Sequence, residues 1–223
     1  MKPECFDLLC RSLPLLLKGA ALSLQILMFA SVLSLCLGGV MGVLICQRLK
    51  HRTIALIVEG AAFVLRAVPF YVQLLIAYFV LPDLLNVQIG AFTASVTALG
   101  LCSSGYIAQI IRCGINSIAA EQWEAAYTLG YSTPKALRYI IFPQMIRNIL
   151  PALTNEFDAL LKSTAILASI GLLELTRMGM NIISREMDPV TIYLEVAVFY
   201  IFISGAINLI SKWLERRLCY VNS

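Results

Sequence analysis

The chain has 223 residues, is 60% hydrophobic and only 13% charged, and carries a formal net charge of +4. A soluble domain of this length holds roughly a quarter charged residues, so a water-soluble fold is excluded and lipid is the expected solvent; mean hydropathy of +0.84 agrees. A small basic excess on such a chain reads as loop charge at a membrane, not as a nucleic-acid surface.

In chain order, Leu13 to Leu17 opens an apolar run that is broken by Lys18 and continues from Gly19 to Cys46. A span needs about 20 apolar residues, so one helix fits, preceded by an amphipathic turn. Met1-Lys2-Pro3-Glu4 mixes charges and makes no convincing cleavable signal. Gly38, Gly39 and Gly42 crowd the inner end of the run, a spacing that favours close helix contact in lipid. A basic loop follows, Gln47 to Arg52, holding the sole histidine, His51, read as solvated. The second apolar stretch runs from Ile54 to Leu65 and from Val68 to Leu81, interrupted by Arg66-Ala67-Val68-Pro69. Pro69 removes a backbone hydrogen bond and disfavours helix at Val68. Freed carbonyls at membrane depth survive only beside protein or a wet cavity, and Gln73, one turn on, is placed for the same cavity; an ordinary proline kink is the plainer reading. Pro82 to Gly90 reads as a turn. Ala91 to Ile111 is the third span, with Ser103, Ser104 and Gly105 at its middle.

Residues 121–155 are polar, punctuated and helical in pattern. Trp123 to Leu129 reads as a short helix ended by Gly130, a residue that accepts the left-handed cap. Ser132 and Thr133 can cap a second helix with Pro134 at its first position, running to about Phe142 and stopping at Pro143. The result is a bent hairpin, about 121–143, with Glu124, Ala125 and Ala126 on its surface. Small side chains admit another protein's backbone, and a carboxylate suits the first turn of a helix. The two readings are a plug for a soluble partner and an amphipathic loop resting on lipid. Ile149 to Leu173 is the fourth span, Glu174 to Pro189 a polar loop, and Thr191 to Trp213 the fifth span. The expectation is therefore an all-α polytopic membrane protein of about five helices, one transmembrane domain over 1–223.

Five spans put the termini on opposite sides. Arg48, Lys50, Arg52, Arg112, Lys135, Arg138, Arg147, Lys212, Arg216 and Arg217 share one face, whereas Lys2, Arg11, Lys18, Arg177 and Arg185 share the other. The richer face is expected in the cytoplasm, which places the N-terminus outside, the C-terminus inside and the hairpin in the cytoplasm of a plasma (inner) membrane.

Charges inside spans cost about 2.5–3.5 kcal/mol each at the helix centre, so Arg66, Glu156, Asp158 and Lys162 need partners or water. Asp158 and Lys162 are four apart and can pair. Glu156 shares a helix face with Ser163, two turns on, and points about 200° from Asp158. Arg66 and Glu156 then offer a cation and an anion for an amino acid zwitterion, or bridge each other with no ligand. The seven cysteines form no CxxC or Cys/His cluster, so no metal site is expected. Cys5 and Cys10 could bridge, but buried free thiols are the default. No phosphate loop occurs, so the chain is not expected to hydrolyse ATP itself; no nucleophile–base set marks it as an enzyme, and no cofactor is expected.

Glu124-Ala125-Ala126, then Gly130, then Ile140, Phe142 and Pro143 resemble the EAA signature of bacterial ABC importer permeases, with Phe142 where leucine is usual. The resemblance continues into the polar amino acid branch. Arg66 to Gln73 is similar to RGTPLLVQ, Ser104 to Ile115 to SGAYLAEIFRGGI, Asn155-Glu156-Phe157 to NEF, Lys162-Ser163-Thr164 to KDT, and Glu174 to Arg177 to ELTR. The resemblance implies a type I importer fold in which the hairpin is the coupling helix, Glu124, Ala125, Ala126, Gly130 and Pro143 serving the ATPase contact. It implies a permease dimer, homo- or heteromeric, two ATPase subunits and an extracytoplasmic solute-binding protein. It places Arg66, Val68, Pro69, Gln73, Glu156 and Ser163 at the substrate. Ser163 stands where the family has Asp, and Ala67 and Val68 replace Gly and Thr, which weakens arginine or lysine specificity. A non-transporting scaffold and an ion-coupled secondary transporter are the other function classes; the latter calls for an inverted repeat, which is not visible.

Overall fold

The structure is a computed structural model that describes residues 3–46 and 52–219, with side chains described from 8 to 46 and from 53 to 218. Arg48, Lys50 and His51 of the basic loop, Lys2, and the side chains of Cys5 and Arg52 lie outside the described residues. Among those described there is no strand. Helix α1 is Pro3–Leu44, α2 Arg52–Ala67, α3 Phe70–Leu75, α4 Leu81–Leu85, α5 Ala91–Asn116, α6 Ala120–Thr128, α7 Thr133–Ala136, α8 Phe142–Ser163, α9 Leu175–Glu186 and α10 Pro189–Cys219. Among the described residues, α1, α5 and α10 are long and apolar enough to cross a membrane by themselves. Two bent pairs, Thr53–Ala67 with Phe70–Leu85 and Thr133–Ile170 with Leu175–Glu186, bring the total to five if each is one span. In the most apolar window of α5, 61% of residues are buried, against 11% in α10, so α5 is a packed helix and α10 a peripheral one.

Two prolines expected to end helices do not. Ile76–Val80 and Leu137–Ile141 are π-helical turns, in which Leu81 N–H donates to Ile76 O and Phe142 N–H to Leu137 O. Pro82 and Pro143 follow at once. A proline ring collides with the carbonyl four residues back and lacks the donor for it; a five-residue turn moves that carbonyl, of Tyr78 or Tyr139, out of register. The helix therefore passes Pro82 and ends at Leu85, with Asn86 left-handed at φ 51°. It also passes Pro143: α7, the π turn and α8 follow without a break to Ser163, so the second arm of the hairpin leads straight into α8 and does not stop at Phe142.

The stretch 174–189, expected as a loop, contains α9. Glu174 caps it, accepting from Thr176 N–H at 2.9 Å and Arg177 N–H at 2.7 Å. Leu175 and Ile182, seven apart, are buried on one face against Leu16, Ala20, Ile192 and Val196. Asp188 precedes α10 and accepts from the Thr191 hydroxyl at 2.6 Å and N–H at 3.2 Å; these bonds hold its carboxyl below the usual carboxylate range.

The chain groups into two compact units. The first comprises Met1–Val32, Pro69–Gly100 and Phe157–Ile207. Its larger core packs Ile26, Leu27 and Ala30 with Leu74, Ala98, Leu99, Leu161 and Leu167. Gly19 lets α1 meet the start of α9: a Cβ there would stand 2.9 Å from Leu175 Cα. The second unit comprises Leu33–Val68, Leu101–Glu156 and Asn208–Ser223. Here Gly38 and Gly42 seat α1 on α5, each leaving only 2.7 Å between a Cβ and its neighbour, Ser104 O for Gly38 and Ile111 Cβ for Gly42. Gly39 faces away; its nearest neighbour is Ile111 Cδ1 at 3.9 Å.

Candidate functional site

The hairpin is built by local backbone rules. At the end of α6, Gly130 is left-handed at φ 78°. Its N–H donates to Tyr127 O at 2.9 Å, and Tyr131 N–H reaches Ala126 O at 3.0 Å. Those two bonds are a Schellman cap. Ser132 is extended before α7, and its carbonyl, not its hydroxyl, accepts the Ala136 N–H at 2.8 Å. Glu124, Ala125, Gly130 and Pro143 are exposed. Ala126, expected on the surface beside Ala125, is buried, as is Trp123 three residues earlier. Three residues is one turn, so Trp123 and Ala126 anchor the inner face of α6 while Glu124 and Ala125 are left outside.

Within the second unit, α5 organises the charges. Ser103, itself buried, donates to Glu156 Oε1 at 2.7 Å. Two residues on, Gly105 lies against the stem of Arg66: a Cβ there would be 3.0 Å from Arg66 Cγ and 3.0 Å from Ala62 O. Residues two apart on a helix face about 200° apart, so Glu156 and the stem of Arg66 approach different sides of α5. Arg66 turns back on its own helix, Nε donating to Ala62 O at 3.2 Å. Among the described residues no ion pair joins Arg66 to Glu156; the ion pair linking α2 and α5 is Arg112 to Glu59, at 2.7 Å. Glu156, read from the sequence as lacking a local partner, takes a distant one in Ser103, 53 residues earlier in the chain.

The first unit holds the other group of charges. Lys162 Nζ is 2.6 Å from Asp158 Oδ2, the pairing expected from their spacing. Ser204 of α10 donates to Asp158 Oδ1. The Ser163 hydroxyl donates to Ala159 O at 2.9 Å. Gln73 is half-buried and Pro69 exposed. Of the six residues expected at the substrate, Arg66, half-buried Val68 and Glu156 belong to the second unit, and Pro69, Gln73 and Ser163 to the first.

Several polar groups escaped the sequence reading. Glu59 and Glu195 lie inside apolar segments as lone acids, and that is the signal that could have found them; Glu195 accepts from Ser12 at 2.6 Å. Glu174 is fully buried beside Tyr200, whose hydroxyl is 3.4 Å from Oε2 and 3.0 Å from Thr176 Oγ1. Cys46 is buried, but Cys10, Cys36 and Cys113 are exposed free thiols. Among the described residues no cluster of His, Cys, Asp or Glu could hold a metal ion.

Three membrane-length apolar helices, five segments if each bent pair is one span, with a capped, exposed hairpin and charges engaged inside the apolar segments, define a polytopic helical membrane protein. Residues 34–219 match the family model described as binding-protein-dependent transport system inner membrane component, and the chain belongs to that family. It is 34% identical over 206 residues to the arginine transport system permease protein ArtQ of Bacillus subtilis (strain 168), covering 92% of this chain and 93% of that one. It is 36% identical over 214 residues to the glutamine transport system permease protein GlnP of Escherichia coli (strain K12), covering 93% and 94%. Among solved structures it is similar to a chain of an amino acid ABC transporter crystallised with histidines, at TM-score 0.84, 34% identity and 94% and 96% coverage. A chain of the inward-facing MetNI methionine ABC transporter matches at TM-score 0.81 and 18% identity, covering 92% and 96%, and supports the fold alone.

Proposed function

We propose that this chain is the permease subunit of an ATP-driven importer for polar amino acids in the plasma membrane. Two copies, or one copy and a paralogue, would form the path. Two ATPase subunits would bind from the cytoplasm, and an extracytoplasmic solute-binding protein would deliver the cargo. The N-terminus lies outside and the C-terminus inside, on the weight of Lys and Arg counted along the chain.

The observation that carries this reading is the hairpin: a Schellman-capped turn that leaves Glu124 and Ala125 outward while Trp123 and Ala126 are buried. A rigid, shallow, small-residue ridge suits a groove on a soluble motor. Gly130 sets the corner, and Pro143 with its π turn joins the second arm directly to α8, so a push on the hairpin is delivered to a membrane helix without an intervening loop. Nucleotide-driven closure of the ATPases would stabilise one orientation of the cargo cavity, and release the other.

At the cargo, Glu156 takes the ammonium, with Ser103 holding one carboxylate oxygen. Arg66 takes a carboxylate, and Val68, Pro69, Gln73 and Ser163 shape the path. Because Glu156 and the Arg66 stem lie on different sides of α5, the two act as separate contacts and not as one clamp. The test is uptake of L-arginine and L-glutamine into liposomes carrying the permease, its ATPase and its binding protein. Uptake that requires ATP supports the reading. Uptake under an ion gradient without ATP, or none of either amino acid under any condition, would overturn it.

A further inference from the structure

The ion pair that links α2 to α5 joins Arg112 Nη1 to Glu59 Oε1 at 2.7 Å. Glu59 stands seven residues before Arg66 on α2, and Arg112 stands seven residues after Gly105 on α5. Seven residues are two turns, about 10 Å of helix axis. Gly105 is where α5 meets the Arg66 stem, a Cβ there being 3.0 Å from Arg66 Cγ and 3.0 Å from Ala62 O. The two helices therefore run antiparallel, and both contacts lie on one seam. Arg66 folds back along that seam, its Nε donating to Ala62 O at 3.2 Å. Apolar packing at Gly105 has no direction of its own, and a slip of one turn would carry Arg66 about 5 Å along α5. A short charge-assisted bond has a fixed length and direction, so the pair decides the register. With side chains 32% and 37% exposed, it adds little stability by itself. Fixing register is the best-attested use of an ion pair set among apolar helices.

We propose that Glu59 and Arg112 are positioning residues for the cargo carboxylate: they set the register of α2 on α5 and through it hold Arg66 in place, touching no cargo themselves. This inference rests on the reading that Arg66 takes the carboxylate and Glu156 the ammonium. Glu156 is held from α5 by Ser103 at 2.7 Å, without α2. The pair therefore acts on the carboxylate end of the cargo and not on the ammonium end.

The test is equilibrium binding to the permease–ATPase complex in nanodiscs of phosphatidylcholine and phosphatidylglycerol. L-Arginine and L-glutamine are each compared with the decarboxylated amine. The unmodified complex is expected to prefer the amino acid, and Arg66→Ala to lose that preference. Glu59→Gln and Arg112→Gln should each cut the preference at least about fivefold by weakening the amino acid, while affinity for the amine stays within about twofold. The exchanged variant Glu59→Arg/Arg112→Glu should recover the preference to within about threefold of the parent, and Glu59→Gln should add nothing in an Arg66→Ala background. Equal weakening of amino acid and amine would mean general damage to the fold and would overturn the proposal. So would an unchanged preference in the single variants. If neither single variant folds, the exchanged variant decides: folded but without the preference, it overturns the proposal. Binding of neither amino acid by the unmodified complex, or a preference that survives Arg66→Ala, would bring down the cargo reading as well. A preference lost in Arg66→Ala but kept in Glu59→Gln would bring down this inference alone.

Discussion

Ser103 on α5 and Glu156 on α8, 53 residues apart, share a hydrogen bond of 2.7 Å. A hydroxyl that donates to one carboxylate oxygen leaves the other available and fixes its direction. Hydrogen bonds to charged groups contribute about 1.5–3 kcal/mol, so losing the charge at Glu156 should cost roughly ten- to a hundredfold in uptake rate. Glu156→Gln is therefore expected to lower uptake more than Asp158→Asn, whose role is to brace Lys162. Radiolabel uptake into proteoliposomes compares the two, and the opposite order would show that the wrong carboxylate was assigned to the ammonium.

At the hairpin, Glu124→Arg and Gly130→Trp are expected to separate ATP hydrolysis from transport while the membrane helices stay folded. Gly130 has open space around it, so a large side chain meets no clash there. Its φ of 78° still strains any L residue, by about 1–2 kcal/mol, in a turn remote from the packed cores. ATPase activity and uptake are measured on one preparation, and full transport by either variant would count against the docking assignment.

The glycines of α1 make a sharper stability test. Gly38→Val and Gly42→Val place a Cβ against α5 where only 2.7 Å is open. Overpacking of this kind costs about 1–3 kcal/mol. Gly39→Ala, with its nearest neighbour at 3.9 Å, should leave the melting temperature in detergent within a degree or two of the parent, or raise it through helix propensity. Equal melting temperatures for all three would mean that the α1–α5 contact is not as close as the structure has it.

Glu174 caps α9 through two backbone N–H groups and is fully buried. Glu174→Ala strands those two donors, while the Tyr200 hydroxyl keeps Thr176 Oγ1 at 3.0 Å, so a loss of about 1–3 kcal/mol is expected. Glu174→Gln retains an acceptor oxygen and should lose less. Thermal unfolding followed by the shielding of Cys46 from a thiol reagent reports the difference between the two variants, and equal losses would remove the capping role.

The parts of the fold that were legible are those decided within a turn or two of chain. Gly130 could be placed because a helix C-cap is a local geometry that glycine enters without strain. Asp158 and Lys162 could be paired because i, i+4 spacing alone brings them together. The passage of the helix through Pro143 was not legible: it depends on a π turn that no residue type announces. Helix α9 was read as loop because its buried face is narrow, Leu175 and Ile182, and its stability comes from packing on α1 through Gly19.

By itself the chain's composition determined that lipid surrounds it, that apolar helices fill it, and that a polar hairpin interrupts them, since hydropathy and backbone caps are properties of short stretches. Only the tertiary structure decided which partner Glu156 takes. Ser103 and Ser104 are neighbours of like chemistry, and the rotation of α5 against α8 selects Ser103 for Glu156. That rotation is set where Gly114 lets α5 close on Met145 and Ile149, a contact between segments more than thirty residues apart that no local pattern encodes.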